Sequence, residues 1–221
     1  MKFYALAVAS AALFLVTVKP ATAAFIVSPT AVTGNTMGTA VGGGSTTNLI
    51  NNSGLPAFTS GVTDYDTYLG TNPVHAAFNA TNAWASNAGV TTGQLDFDLG
   101  ASYSISGVSL WNQGNLQSVN GFTIFTDDNV AFSSPTNVGS FNAASSLSAS
   151  SFLFGPVTDR YVRLQINSNY GSSTFTTLGE IAFRADAAAV TVPAPSSLAL
   201  MLVGGIGFAG ARRRLAARRT A

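Results

Sequence analysis

The chain has 221 residues, of which only 9% are charged and none is cysteine. Typical soluble domains carry about 25% charged residues, so a polyelectrolyte-type disordered chain and a coiled coil are excluded. Without cysteine there is no disulfide framework, thiol nucleophile or Cys-ligated zinc site. The net charge of +1 hides three electrostatic pieces. Two lysines, Lys2 and Lys19, give the N-terminal segment +2; nine acids against Arg160, Arg163 and Arg184 give the middle −6; five arginines give the C-terminal tail +5. A middle piece of −6 with no basic patch speaks against a nucleic-acid partner.

Lys2 is followed by an apolar run from Phe3 to Val18, then Lys19-Pro20 and Ala21-Thr22-Ala23. A positive start, an apolar core and an A-x-A site predict a secretory signal peptide over residues 1–23. Residues 24–44 read as a flexible segment with a candidate first strand, and Gly42-Gly43-Gly44-Ser45 as a loop. From there the pattern has period 2. Leu95, Phe97 and Leu99 alternate with Gln94, Asp96 and Asp98. Ile105, Val108 and Leu110 share a face if Ser106-Gly107 forms a bulge. Gly121–Thr126 is a strand that ends in the turn signal Asp127-Asp128-Asn129. Residues 142–151 (NAASSLSASS) form a polar low-complexity loop. Val162, Leu164 and Ile166 alternate with Tyr161, Arg163 and Gln165, and Ile181 and Phe183 close the set. No amphipathic helix is evident. These short strands predict an all-β, antiparallel sandwich or barrel, flanked by an N-terminal signal helix and a C-terminal hydrophobic helix.

Residues 186–197 form a linker containing Val192-Pro193-Ala194-Pro195. They lead into a 14-residue apolar run, Leu198–Ala211, and then an Arg-rich tail over 212–221. At about 1.5 Å per helical residue that run is short of an apolar core of roughly 30 Å, so it spans only with its flanks. The arginines place the tail in the cytoplasm.

Two resemblances follow from these residues. The order VPAP, apolar run, Arg212-Arg213-Arg214 resembles the PEP-CTERM sorting signal of Gram-negative bacteria, with Ala194 where that signal usually carries Glu. The resemblance implies an exosortase-type processing partner, passage through the inner membrane, and anchoring or release at the cell surface. The middle piece resembles the discoidin-like (factor 5/8 type C) domain, a galactose-binding-like fold, which implies an antiparallel jelly-roll β-sandwich over residues 45–185. The resemblance rests on NLINNSGL (48–55), Trp84, QLDFDLGASYSISGVSLWN (94–112), GFTIFTDDN (121–129), DRYVRLQINSNYG (159–171) and LGEIAF (178–183).

That resemblance implies a structural calcium, with Glu180 as one ligand and Asn51 where an Asp is usual. It also implies a ligand site in the loops at one end of the sandwich. The candidates there are Trp111, Asn112, Asn115, Tyr65, Tyr68, His75, Asn169 and Tyr170. Trp111 is expected to point outward at a strand end as an aromatic platform, and Trp84 to pack in the core. Arg163 and Tyr161 are expected to pair across the outer face, while Asp96 and Asp98 are expected to be solvated. A lone histidine and no G-x-S-x-G elbow argue against a hydrolase. The sequence therefore points to non-catalytic binding of extracellular polysaccharide. The alternative is a structural or protein-binding matrix component, and an exopolysaccharide-acting enzyme comes last.

Overall fold

A computed structural model describes residues 23–186. The expected signal peptide up to residue 22 and the linker, apolar run and Arg-rich tail from residue 187 lie outside the described residues. Nine strands form: β1 (Ala24–Val27), β2 (Ala31–Asn35), β3 (Trp84–Ala85), β4 (Gly93–Trp111), β5 (Gly121–Asp127), β6 (Thr136–Asn142), β7 (Ser150–Ile166), β8 (Thr177–Leu178) and β9 (Glu180–Asp186). A 3-10 turn covers Thr46–Leu49, and one short helix, α1 (Tyr65–Gly70), is capped by the Asp64 carboxylate, which accepts from the Thr67 N–H at 2.7 Å.

The main sheet runs β1-β9-β4-β7-β5-β6, with β2 added to β4, and every pairing is antiparallel. The two long strands make the sandwich. β4 and β7 pair over 93–98 with 161–166, lose register, and pair again from Tyr103–Asp159 onward. The break is at Gly100, whose φ of +84° suits glycine. The first half of β4 carries β2; its second half carries β9 and, through it, β1. Phe97 of the first half meets Phe183 of β9 edge-to-face at 6.4 Å, so the halves face each other across the core. Leu95, Phe97, Leu99, Ile105, Val108, Leu110, Phe122, Ile124, Val162, Leu164, Ile166, Ile181 and Phe183 fill it. The register irregularity between Ile105 and Gly107 is the bulge that keeps Ile105, Val108 and Leu110 on one face.

Because β4 turns back on itself, its two ends, Gly93 and Trp111, lie at the same end of the sandwich. The loops 36–47, 76–92, 112–120, 143–149 and 167–177 gather there, joined by bridges such as Ser118–Thr177, Val119–Asn169 and Gly44–Trp84. The opposite end holds the β4 corner, Asp159 and the last residue of β9, Asp186.

Several expectations are corrected. Residues 24–44 carry β1 and β2, and Ala24, Ile26, Val27 and Met37 are buried, so the sandwich begins at Ala24. Arg163 does not pair with Tyr161. It makes a two-pronged ion pair with Asp96 (2.7 and 2.8 Å) and stacks on Phe132 at 4.1 Å, while Arg160 pairs with Asp98 (2.7 and 2.9 Å) and lies over Tyr161. Asp96 and Asp98 are therefore engaged, not merely solvated.

Candidate functional site

Most of the expected site residues are structural. Trp111 is 0% exposed. It points to the face opposite Leu110. That outer face, however, is covered by a second cluster of Ala24, Ile26, Phe58, Tyr65, Tyr68 and Ala182, and the indole N–H donates to the Pro73 carbonyl at 3.0 Å. Tyr65 and Tyr68 belong to the same cover. The Tyr65 hydroxyl meets Ser109 Oγ at 2.6 Å, and the Tyr68 hydroxyl donates to the Pro56 carbonyl at 2.8 Å. Burial raises both phenols; that of Tyr68 goes to about 12, with the Glu180 charge adding to the effect. Trp84 is core, donating to the Gly38 carbonyl and Thr39 Oγ1.

His75 is buried. Its ring lies so close to Gly54 and Gly179 that a Cβ at either would collide with it. Nδ1 lies 2.7 Å from the Ala76 carbonyl, Nε2 has no partner, and burial holds the imidazole below its usual pKa. Asn112 is a buried brace, donating to the Val119 and Ala144 carbonyls and accepting from the Val119 N–H. The Asn169 amide donates to the Ser172 and Phe175 carbonyls, so it holds the 167–177 loop. Asn115 caps the neighbouring turn by accepting from the Gln117 N–H at 2.9 Å. Tyr170 is 37% exposed and donates to the Ala143 carbonyl at 2.7 Å. Of the expected residues, Asn115 and Tyr170 are exposed at the loop end and Asn169 is half-buried there.

The concave surface there is built from residues that carry no periodic signal. A cleft of about 260 Å³ is lined by Ala40, Val41, Gly42, Gly43, Phe78, Ala85, Gln117 and Phe175, and it continues past Asn87 and Ala88. Backbone bonds position the walls: Ala40 N–H to the Ala85 carbonyl (3.1 Å), Asn87 N–H to Met37 (2.9 Å), and Thr177 N–H to Gln117 (2.8 Å). Gly44 keeps a φ of +81° beneath it, where a Cβ would strike the Ala83 carbonyl. Val41 is fully exposed and Phe78 is 39% exposed. The cleft thus pairs two phenyl faces and small alkyl groups with the side-chain amides of Gln117 and Asn87. That combination is chemically suited to a ring with one apolar face and a polar edge. The signal that was available is a lone Phe among small polar residues, in AAFNATN and SSTFTT.

The calcium implied by the fold was tested on its donors. Asn51 is exposed, and its side-chain oxygen accepts from the Ser53 N–H at 3.0 Å. Glu180 is completely buried, with one carboxylate oxygen accepting from the Asn52 N–H at 3.0 Å and the other without a partner. The Asn52 side-chain oxygen is likewise buried and unpartnered. Two orphaned oxygens, one of them carrying charge, fit a hard cation. Glu180 and Asn52, not Asn51, are the residues that would hold it. Among the described residues no group of three or more His, Asp or Glu gathers. Burial pushes the Glu180 carboxyl up to about 9.

The F5/8 type C domain model matches residues 59–181. The chain belongs to this family. A PEP-CTERM protein-sorting motif matches residues 191–214 and indicates export with sorting to the membrane or cell surface. No curated protein matches the chain. Among solved structures, the domain resembles the family 32 carbohydrate-binding module of Streptococcus pneumoniae EndoD (12% identity, TM-score 0.50, 72% of this chain and 97% of that one). It also resembles the family 32 module of C. perfringens NanJ solved with galactose (13%, 0.47, 73% and 98%). A third is CBM32-1 from a family 31 glycoside hydrolase of Clostridium perfringens (12%, 0.48, 71% and 95%). At such identity the EndoD likeness shows the fold.

Proposed function

We propose that this F5/8 type C domain is an exported, non-catalytic glycan-binding module that holds extracellular polysaccharide at the cell surface. The loop-end cleft carries the reading: it is the concave surface where aromatic faces and free-standing amides converge, on a fold shared with carbohydrate-binding modules. Binding measured by affinity electrophoresis against a polysaccharide panel tests it. Phe78→Ala and Phe175→Ala are each expected to weaken retention about tenfold, roughly 1.4 kcal/mol. Unchanged retention in both would place the site elsewhere. The PEP-CTERM motif supports processing by an exosortase-type membrane enzyme, with the short apolar run held in the inner membrane beforehand. Mass spectrometry of the mature protein is expected to show loss of residues 196–221 in cells with that enzyme and an intact tail after Arg212, Arg213 and Arg214 are replaced by Gln.

A second reading, a matrix component that binds protein, is favoured by the first half of β7. Residues 150–158 pair with β4 on one side only and expose Leu153 by 66%. A partner adding a strand there would be lost in Leu153→Lys with glycan retention unchanged.

A further inference from the structure

An open strand edge is a template for another strand, and natural sheets guard it with charge, a bulge, shortness or a covering segment. The other edges of the main sheet are guarded. The Ile26 N–H and carbonyl of β1 bond Thr63 and Gly61. β2 has five residues and passes beside the Asp96 carboxylate. β6 slips register between Asn137 and Gly139. The first half of β7 has no such guard. Residues 150–158 pair with β4 on one side and, among the described residues, with no strand on the other. Ser151, Leu153 and Gly155 are exposed there, and Pro156, which lacks an N–H, ends the open stretch.

Charge and symmetry decide what covers it. Residues 129–158 contain no Asp, Glu, Lys, Arg or His. A partner strand carrying charge would lose hydration there and find no counter-ion. A second copy brings an edge as uncharged as this one, although the middle piece as a whole carries nine acids against three arginines. Two identical strands placed antiparallel are also self-complementary, because a two-fold axis sets each donor against the same acceptor of the other copy. With the axis at Leu153, that residue faces its own copy on the outer side, and Ser151 faces the copy's Gly155. On the inner side Phe152 faces the copy's Phe154. Both rings already rest on Phe141 of β6, with centroids 5.1 and 6.4 Å away. Aliphatic and aromatic pairs of this kind stabilise neighbouring strands. Asp159, the first charge of β7, lies past Pro156 and outside the paired stretch. Resting on the reading of this edge as a protein-binding surface, we infer that the first half of β7 pairs antiparallel with the same strand of a second copy, two-fold about Leu153. β7 leaves the loop end at Ser150, opposite Leu110, and runs toward the corner, so the pair points its two loop ends in opposite directions.

The chain has no cysteine, so the thiol of Leu153→Cys can pair only with that of another copy. Facing residues of antiparallel strands have Cα atoms about 4.5–5.5 Å apart, within disulfide reach. The test oxidises the full chain with copper phenanthroline, in detergent and without polysaccharide. Leu153→Cys is expected to form a covalent dimer at least tenfold faster than Val62→Cys, a thiol at another exposed site, at low and high salt alike. Ser151→Cys mixed with Gly155→Cys is expected to cross-link faster than either alone, as the two-fold register requires. Leu153→Lys sets two ammonium groups against each other at an exposed position and is expected to sediment as a monomer at concentrations where the wild type is dimeric. Association through the apolar run 198–211 instead would leave Leu153→Cys no faster than Val62→Cys and Leu153→Lys as associated as the wild type, and overturns the inference. Labelling of Leu153→Cys on intact cells by a membrane-impermeant maleimide then separates the two readings. A thiol that stays monomeric when purified but is shielded on cells overturns self-pairing and leaves another protein at this edge. A thiol that stays monomeric and labels freely on cells removes both.

Discussion

His75 and Glu180, the single histidine and the single glutamate of the chain, are buried, the first held below its usual pKa of 6.5 and the second raised from 4.5 to about 9. Their effects on stability have opposite signs. Below the ordinary histidine range the unfolded chain takes up a proton that buried His75 does not, so lowering the pH destabilises the fold. Between 4.5 and about 9 folded Glu180 keeps a proton that the unfolded chain releases, so raising the pH destabilises it. The melting temperature is expected to change little from about pH 5 to 6, where the two offset, and to fall from about pH 7 to 9. In Glu180→Gln it should rise from acid to neutral and then level; in His75→Gln it should fall throughout. Calcium at pH 8 or so is expected to raise the wild-type melting temperature and flatten its alkaline slope, but to leave Glu180→Gln unmoved. A wild type indifferent to calcium would show that Glu180 and Asn52 hold no cation.

At the level of elements, β4 decides the architecture. Its bulge at Ser106-Gly107 packs so closely that a Cβ on Gly107 would lie 3.0 Å from Leu153 Cδ2, 3.0 Å from the Phe152 carbonyl and 3.2 Å from Arg184 Cβ. Gly107→Val is therefore expected to cost about 1–3 kcal/mol by overpacking, read as a lowered denaturant midpoint at unchanged slope. This bulge, the strand Gln94–Leu99 and the strand Tyr161–Ile166 were legible because each buries one face and wets the other. The first half of β7 was not. Ser-Phe-Leu-Phe-Gly exposes Leu153 and half-buries its phenylalanines, and it follows a Ser-rich run that reads as loop. Thr136–Asn142 is an edge strand with little buried surface, and six-residue α1 is too short to show a helical period. The hidden helix explains why Trp111 was misjudged. Alternation tells which side a residue faces, but whether that side is covered depends on distant segments such as 55–69. The cleft was illegible for a related reason: Phe78 and Phe175 are brought together by loops nearly a hundred residues apart.

On the scale of the whole molecule, the fold sorts chemistry by end. β9 runs away from the loop end and finishes at Asp186, beside the β4 corner, so the chain leaves the described domain on the side opposite the cleft. The sorting motif begins at residue 191. The absence of cysteine makes occupancy of the cleft measurable, since a single introduced thiol is the only one in the chain. Val41→Cys places it on the cleft wall and Ser102→Cys on the exposed corner. On intact cells that produce the surface polysaccharide, a membrane-impermeant maleimide is expected to label Ser102→Cys readily and Val41→Cys poorly. Stripping the polysaccharide should restore labelling at Val41→Cys while leaving Ser102→Cys unchanged, because glycan in the cleft shields one end alone. Equal labelling of the two before stripping would show the cleft empty at the cell surface.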